Sequence, residues 1–412
     1  MAGIGLPWLG GSLRWDSGSG AGKGGAGPGV VTGRGSVSGV FVRLAPDGGL
    51  PRLLRALRFA SGVKPKGTGA RERILSTPIV PLDVRKVKGL GDLLMAFQQT
   101  SVQARNLGRC YEVWRNMLRD PKRPTIFLGL AGPLIAAGLR KVLRDMIDLG
   151  MVDVVVSTGA ILYQDLYQSL GYHHYRGTPL ADDAELNRYH IDRIYDTYVD
   201  EEKFEETDRA IGTLVERLAP RGYSSRELFE FLGRELPGES SILATCARRG
   251  IPVFSPALID SSIGIGLTLH YGKHRQGPRF SLDAVRDNYE LVQILANSPR
   301  TGVIYIGGGT PKNWINDGIV MANYHYHREG EGHYYALQLT TDVPHWGGLS
   351  GSTLDEAVSW GKISSTATKA MAFVEASVGL PLLVGALYDR RKDWYPRRAP
   401  RFRWTGDQVS RQ

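Results

Sequence analysis

The segment Gly347–Lys362 ends on Trp360-Gly361-Lys362, residue types that suit covalent chemistry on an amine. An indole face beside a pocket can hold an ammonium chain. A lysine kept from water next to a cationic site gives up its proton more readily, and the neutral amine can then form a Schiff base. The glycine-rich stretch before it predicts a loop leading into a short helix capped near Ser352 or Thr353. A surface lysine following a helix is the competing reading of Lys362.

Other residues point to a nucleotide. Gly307-Gly308-Gly309 follows the apolar run Thr301–Ile306, so its backbone could approach a phosphate closely. It fits neither the GxGxxG fingerprint nor a P-loop, since Lys312 is not followed by Ser or Thr, and a plain tight turn competes. Glu375 closes a late apolar run and suits either a ribose or a helix N-cap. Asp260 is open to the same two readings. His325 and His327 would share a face only on a strand, and no second ligand pair has zinc spacing, so no metal is expected. There is no Gly-x-Ser-x-Gly elbow.

These residues need a scaffold, and the apolar runs supply one. Thr125–Leu130, Val152–Ser157, Gly250–Phe254, Thr301–Ile306, Tyr334–Thr340 and Lys369–Val374 read as short buried strands. Helical patterns separate most of them, as across Ala136–Leu149. The expected class is α/β: a parallel sheet with helices on both faces and ligands at the strands' carboxyl ends. Residues 171–240 are rich in charge and aromatics with little strand character, which predicts a helical insertion. The whole of 71–390 is then expected to be one domain.

The ends of the chain differ from its body. Residues 1–70 hold 19 of the 52 glycines, a composition that cannot bury enough apolar surface to order itself. A disordered extension, a start assigned too far upstream, or an Arg-rich targeting segment would each look like this. The net charge is +10, yet 1–75 contribute +8 and 389–412 contribute +5, which leaves the body at −3. An acidic body suits a cationic small substrate better than nucleic acid. Residues 391–412 read as a solvated basic tail. Two cysteines make no disulfide framework and fit a reducing cytoplasm, and no apolar run is long enough to span a membrane.

At Asp355-Glu-Ala-Val-Ser-Trp-Gly-Lys362 the sequence closely resembles the active-site signature of the deoxyhypusine synthase family. The likeness runs from about Ser76 to Tyr388 and includes Met151-Val-Asp-Val-Val-Val-Ser-Thr-Gly159, Ile251-Pro-Val-Phe-Ser-Pro-Ala-Leu258 and Gly307-Gly-Gly309. It implies a modified Rossmann-type fold that binds NAD, usually as a homotetramer. It implies spermidine oxidation, transfer of the four-carbon fragment through an imine on Lys362 with release of 1,3-diaminopropane, and delivery to a protein lysine or to putrescine. The latter would give homospermidine. By the same resemblance Trp360, Glu356 and Ser350 belong to the polyamine pocket. Ala131, Gly132, Thr158, Gly159, Asp260, Gly308, Thr341, Asp342, Glu375 and Ala376 fall on the NAD-binding segments.

Three positions depart from the family pattern. Asn313 stands where a histidine is usual, and Leu349 and Gln164 stand where acids are usual. Lost carboxylates around an ammonium group need replacement, and Asp165, Asp355 and Glu356 are the expected substitutes. The pattern resembles the prokaryotic deoxyhypusine synthase-like branch. Two other functions compete: an imine-forming NAD enzyme acting on another amine, and a protein that binds NAD or polyamine without turnover.

Overall fold

The computed structural model describes residues 68–328 and 331–412. The chain divides at Ser76 into two units. Of the first, only the helix Thr68–Ile74 and the turn after it are described. The expectation of disorder over 1–70 therefore lies almost wholly outside the described residues.

The second unit is built on six strands: β1 Thr125–Leu130, β2 Val154–Ser157, β3 Val253–Phe254, β4 Thr301–Ile306, β5 His333–Thr340 and β6 Ile363–Phe373. They pair in the order β6-β5-β4-β1-β2-β3, every pair parallel. Read from the other edge this is 3-2-1-4-5-6, the order of a doubly wound dinucleotide fold. The expected parallel sheet with helices on both faces is what forms.

Apolar runs without alternation are what two covered faces require. In β1, Ile126, Leu128 and Leu130 join one apolar cluster and Phe127 joins the other. In β4, Ile304 and Ile306 face the first cluster, and Val303 and Tyr305 the second. On the first face lies helix α1 Val102–Arg119, whose Leu107, Cys110, Tyr111, Trp114 and Met117 recur at helical spacing and are buried. Each such side chain taken from water is worth about 1.5–3 kcal/mol. On the second face Ile315 and Ile319 come from helix α2 Gly309–His325. His325 therefore ends a helix, and the strand that would align it with His327 does not form.

Three expectations need correction. Residues 171–240 carry helices but also an antiparallel sheet, Tyr175–Arg176, Thr197–Asp200 and Ile191–Ile194. Its strands are only partly buried and so lack apolar alternation. Its tight turn uses Tyr195 at φ 56° in place of the glycine or asparagine that marks hairpins. The last strand begins at Ile363, not Lys369, which sets it directly after Lys362.

Residues 391–412 are not a solvated tail. Phe402–Thr405 and Gln408–Arg411 form a hairpin with Val409 buried. Arg397 makes two 2.8 Å bonds to the buried Asp153, and the Arg226 guanidinium stacks 3.9 Å from the Trp404 ring. Arg397 gives the buried Asp153 the partner that its charge needs.

Past β3 the chain lines a cavity of about 590 Å³ with Ser255, Phe280, Asp287 and Trp314 among its walls. Burial pushes the Asp287 carboxyl from 3.8 up to about 7, against the hydrogen bonds from Ser225. Between those values the folded chain holds a proton that the unfolded chain has released. That contribution to stability is complete below pH 3.8 and is lost as the pH rises through 7. Asp287→Asn should match the parent near pH 4 and exceed it by on the order of 4 kcal/mol above pH 7. Urea unfolding at three pH values checks this, and a pH-independent difference would discard it.

Candidate active site

Because all six strands are parallel, the segments after them meet at one edge. The sheet order reverses between β1 and β4, so that edge opens a crevice there. The Ala131 N–H donates to Ile306 O at 2.9 Å across it. Gly307 has φ 75°, and a Cβ there would sit 3.0 Å from Ala131 O. Gly308 is held just as closely: a Cβ would lie 2.4 Å from Ser350 Cα. The triple glycine thus serves the packing of the Gly347–Asp355 loop as well as the crevice. Gln338 donates to both Gly307 O and Ser350 O, at 2.8 and 2.9 Å. The Ser350 hydroxyl accepts from the Gly309 N–H at 3.0 Å, capping α2.

The residues expected to hold a cofactor line the same edge. Ala131 and Gly132 follow β1, Thr158 and Gly159 follow β2, Gly308 follows β4, and Thr341 and Asp342 follow β5. Thr158 is the N-cap of helix Gly159–Ser169 without a side-chain cap bond, which leaves first-turn amides facing the edge. The loop after β3 packs over it, since a Cβ on Gly159 would lie 2.3 Å from Ser261 Oγ. Asp260 in that loop is exposed, and Ser261, not Asp260, occupies the N-cap of the next helix. Glu375 caps helix Ala376–Asp389 through one carboxylate oxygen, Oε2, which accepts from Ser377 N at 2.8 Å. Burial raises its carboxyl, but the Ser377 and backbone hydrogen bonds outweigh that and hold it below the usual carboxylate range.

Lys362 comes just before β6, and its side chain lies against α2, the helix that starts at the triple glycine. Thr353 Oγ1 accepts from Glu356 N at 3.0 Å and starts the four-residue helix Glu356–Ser359. Gly361, at φ 68°, turns the chain into β6. The Lys362 backbone is fixed at both ends, donating to Ala357 O at 3.0 Å and accepting from His333 N at 2.9 Å. Its Nζ donates to Asn313 Oδ1 at 3.0 Å, pairs with Asp317 Oδ1 at 3.1 Å and lies 5.6 Å from the Trp360 ring centre. Asn313 in turn donates to Asp317 Oδ2 at 2.8 Å. The Lys362 side chain is 16% exposed, whereas Trp360 and Glu356 are open to solvent.

Sequence comparisons now bear on these positions. The family model described as deoxyhypusine synthase matches residues 92–387. The probable deoxyhypusine synthase 2 of Methanosarcina acetivorans is 43% identical over 335 residues, 80% of this chain and 95% of that protein. The chain belongs to the deoxyhypusine synthase family. Its members are transferases, and prokaryotic relatives include the deoxyhypusine synthase-like protein of Chlorobaculum tepidum, 41% identical over 305 residues, 73% of this chain and 86% of that protein. A crystal structure of a putative deoxyhypusine synthase from Entamoeba histolytica covers 76% of the chain and 97% of its own, with TM-score 0.51 at 19% identity, a likeness of fold.

Two residues expected in the polyamine pocket of this family member have other work. Asp165 is fully buried; its oxygens accept from Arg140 Nε at 2.7 Å, Ser241 Oγ at 2.9 Å, and the Ile242 and Leu243 N–H groups at 3.0 Å each. A carboxylate so engaged caps helix Ile242–Arg249 and has nothing left for a substrate. Gln164 is also buried and accepts from Ala136 N at 3.1 Å, steadying the loop after β1. Asp355, another expected substitute, pairs with Lys369 at 3.1 Å.

Two residues escaped the sequence reading. Asp317 lies one turn beyond Asn313 on α2 and is the carboxylate nearest Lys362. The i,i+4 spacing of Asn313 and Asp317 was visible once a helix is assumed after the triple glycine. Lys312, considered there only as a P-loop lysine, is buried, and its Nζ donates to Leu349 O, Ser352 O and Ser352 Oγ at 3.0, 2.7 and 2.9 Å. Burial lowers it to about 8; Glu356 and Asp342 push it up and Lys362 pushes it down. It fastens the glycine loop to α2.

Proposed function

We propose that the protein transfers a 4-aminobutyl group from spermidine to an acceptor amine through an imine on Lys362. The observation that carries this reading is the setting of Lys362 Nζ, between Asn313 and Asp317 and beside Trp360. Asp317 and Asn313 hold the Lys362 amine between them and orient it. Trp360, with Glu356 one helical turn before it, offers the ammonium chain an aromatic face and a carboxylate.

The residues at the edge suit NAD: Gly132 and Gly309 leave open space where a Cβ would stand, and helix Gly159–Ser169 begins there without a side-chain cap. Ala131, Gly132, Thr158, Gly159 and Gly308 would hold the phosphates, with Asp342, Glu375 and Asp260 as carboxylates for hydroxyls and Thr341 and Ala376 as neighbouring backbone. NAD held there would supply the redox chemistry, taking up a hydride from the donor amine and giving it to the imine formed with the acceptor. Lys362, as free amine, adds to the resulting C=N carbon and expels 1,3-diaminopropane, so the four-carbon unit stays as an imine on Nζ. The acceptor amine displaces Lys362 by the same exchange.

The acceptor is a protein lysine or putrescine. The glycine loop and Trp360 lie open to solvent, which suits either. A homotetramer in a reducing cytoplasm completes the proposal; both cysteines are free and buried, and no helix among the described residues is long and apolar enough to cross a membrane. Incubation with NAD and spermidine, with and without putrescine, should release 1,3-diaminopropane, followed by mass spectrometry. Homospermidine appearing with putrescine would name the small acceptor. Folded protein that binds NAD yet releases no diaminopropane would remove spermidine as donor and favour another amine, the reading that Asn313, Leu349 and Gln164 support.

A further inference from the structure

The 3-10 turn Val215–Arg217 continues helix Glu201–Leu214 and carries Glu216 beside helix Ser262–Lys273. His270 and His274 lie four residues apart at the end of that helix, so they face the same way. One ligand atom from each of Glu216, His270 and His274 falls within 4.8 Å of the others. His274 Nε2 is 3.5 Å from Glu216 Oε1, and the imidazole centres are 4.7 Å apart. His270 is 6% exposed, and neither of its ring nitrogens has a hydrogen-bond partner. Buried imidazoles rarely go unpaired in native interiors, and this one is aimed at two other ligands.

We propose that Glu216, His270 and His274 bind a divalent transition ion of the zinc kind, with water completing the shell. Two imidazoles and one carboxylate are a known three-ligand zinc set with an open position, and nitrogen donors favour zinc over calcium or magnesium. With ligands at about 2.1 Å, tetrahedral donors stand about 3.4 Å apart. The His274–Glu216 edge already has that length, and a side-chain rotation brings His270 in. Lys273 Nζ sits 2.6 Å from Glu216 Oε1 and is 65% exposed, so an ammonium holds the carboxylate and can swing away when a metal enters. The helix that carries both histidines starts just after Asp260 and Ser261. An ion there joins the last turn of that helix to the turn Val215–Arg217.

The full chain, stripped by chelator and dialysed against zinc chloride, should hold one zinc per chain by elemental analysis. Cobalt(II) should show the intense visible absorption of a tetrahedral site, and zinc should raise the melting temperature. Glu216→Gln and His274→Asn, both near the surface, should each weaken zinc at least tenfold, and Lys273→Ala should tighten it several-fold. Stripped protein that takes up no zinc would overturn the site. So would stoichiometric binding unchanged in both ligand variants.

Discussion

Lys362→Ala should abolish the proposed aminobutyl transfer, lowering turnover by about 10⁴-fold or more, and leave the fold intact. A covalent nucleophile has no substitute within reach when its amine is removed, so the loss belongs to kcat and not to binding. The fold survives because Nζ bonds only Asn313 and Asp317, and Asp317 is 56% exposed and rehydrates without its partner. Such a pair is worth at most about 1 kcal/mol. Lys362→Arg sharpens the test. It keeps the cation and its Asp317 contact but cannot form an imine, so it should be as inactive as the alanine variant. Borohydride reduction during turnover should add the four-carbon fragment to the peptide bearing Lys362. Label on Lys312, the other lysine beside the glycine loop, or turnover by the arginine variant, would refute the assignment.

Arg397→Ala should cost about 3–5 kcal/mol of stability, measured by urea unfolding, although Arg397 lies in a segment that reads as a tail. Arg397 and Asp153 are almost wholly buried, at 4% and 2% side-chain exposure. The guanidinium also donates to Pro124 O at 2.7 Å and Gly150 O at 3.1 Å. Asp153 Oδ2 accepts from Ile126 N at 2.8 Å, tying the start of β2 to β1. Removing one partner of a buried pair strands the other's charge, which is why the cost exceeds that of a surface pair. Replacing both with an apolar pair should be far milder. A loss under about 1 kcal/mol in the single variant would mean that water solvates Asp153 and the segment is dispensable.

The strands were legible because burial on both faces leaves a local signature: Thr125–Leu130 and Thr301–Ile306 are apolar throughout and were bounded correctly. The lysine was legible because Asp355–Lys362 is one contiguous run, and that run carries the resemblance to the family motif. Side-chain roles across long separations were not. Asp165 and Glu356 are both acids near expected pocket segments, yet one is sealed under Arg140 and Ser241 and the other is exposed.

The amino-acid order by itself thus determined the α/β class and the apolar strands, since each depends on neighbours in sequence, and it singled out Lys362 as the candidate nucleophile only through its resemblance to the family motif. Only the tertiary structure decided the 3-2-1-4-5-6 order, which sets the triple glycine against Ala131, because strand pairing is a choice among distant segments. It also decided that Asp317 meets Lys362 and that Arg397 is interior. Whether a charged side chain is solvated, paired or reactive depends on what the folded chain brings within a few ångströms of it.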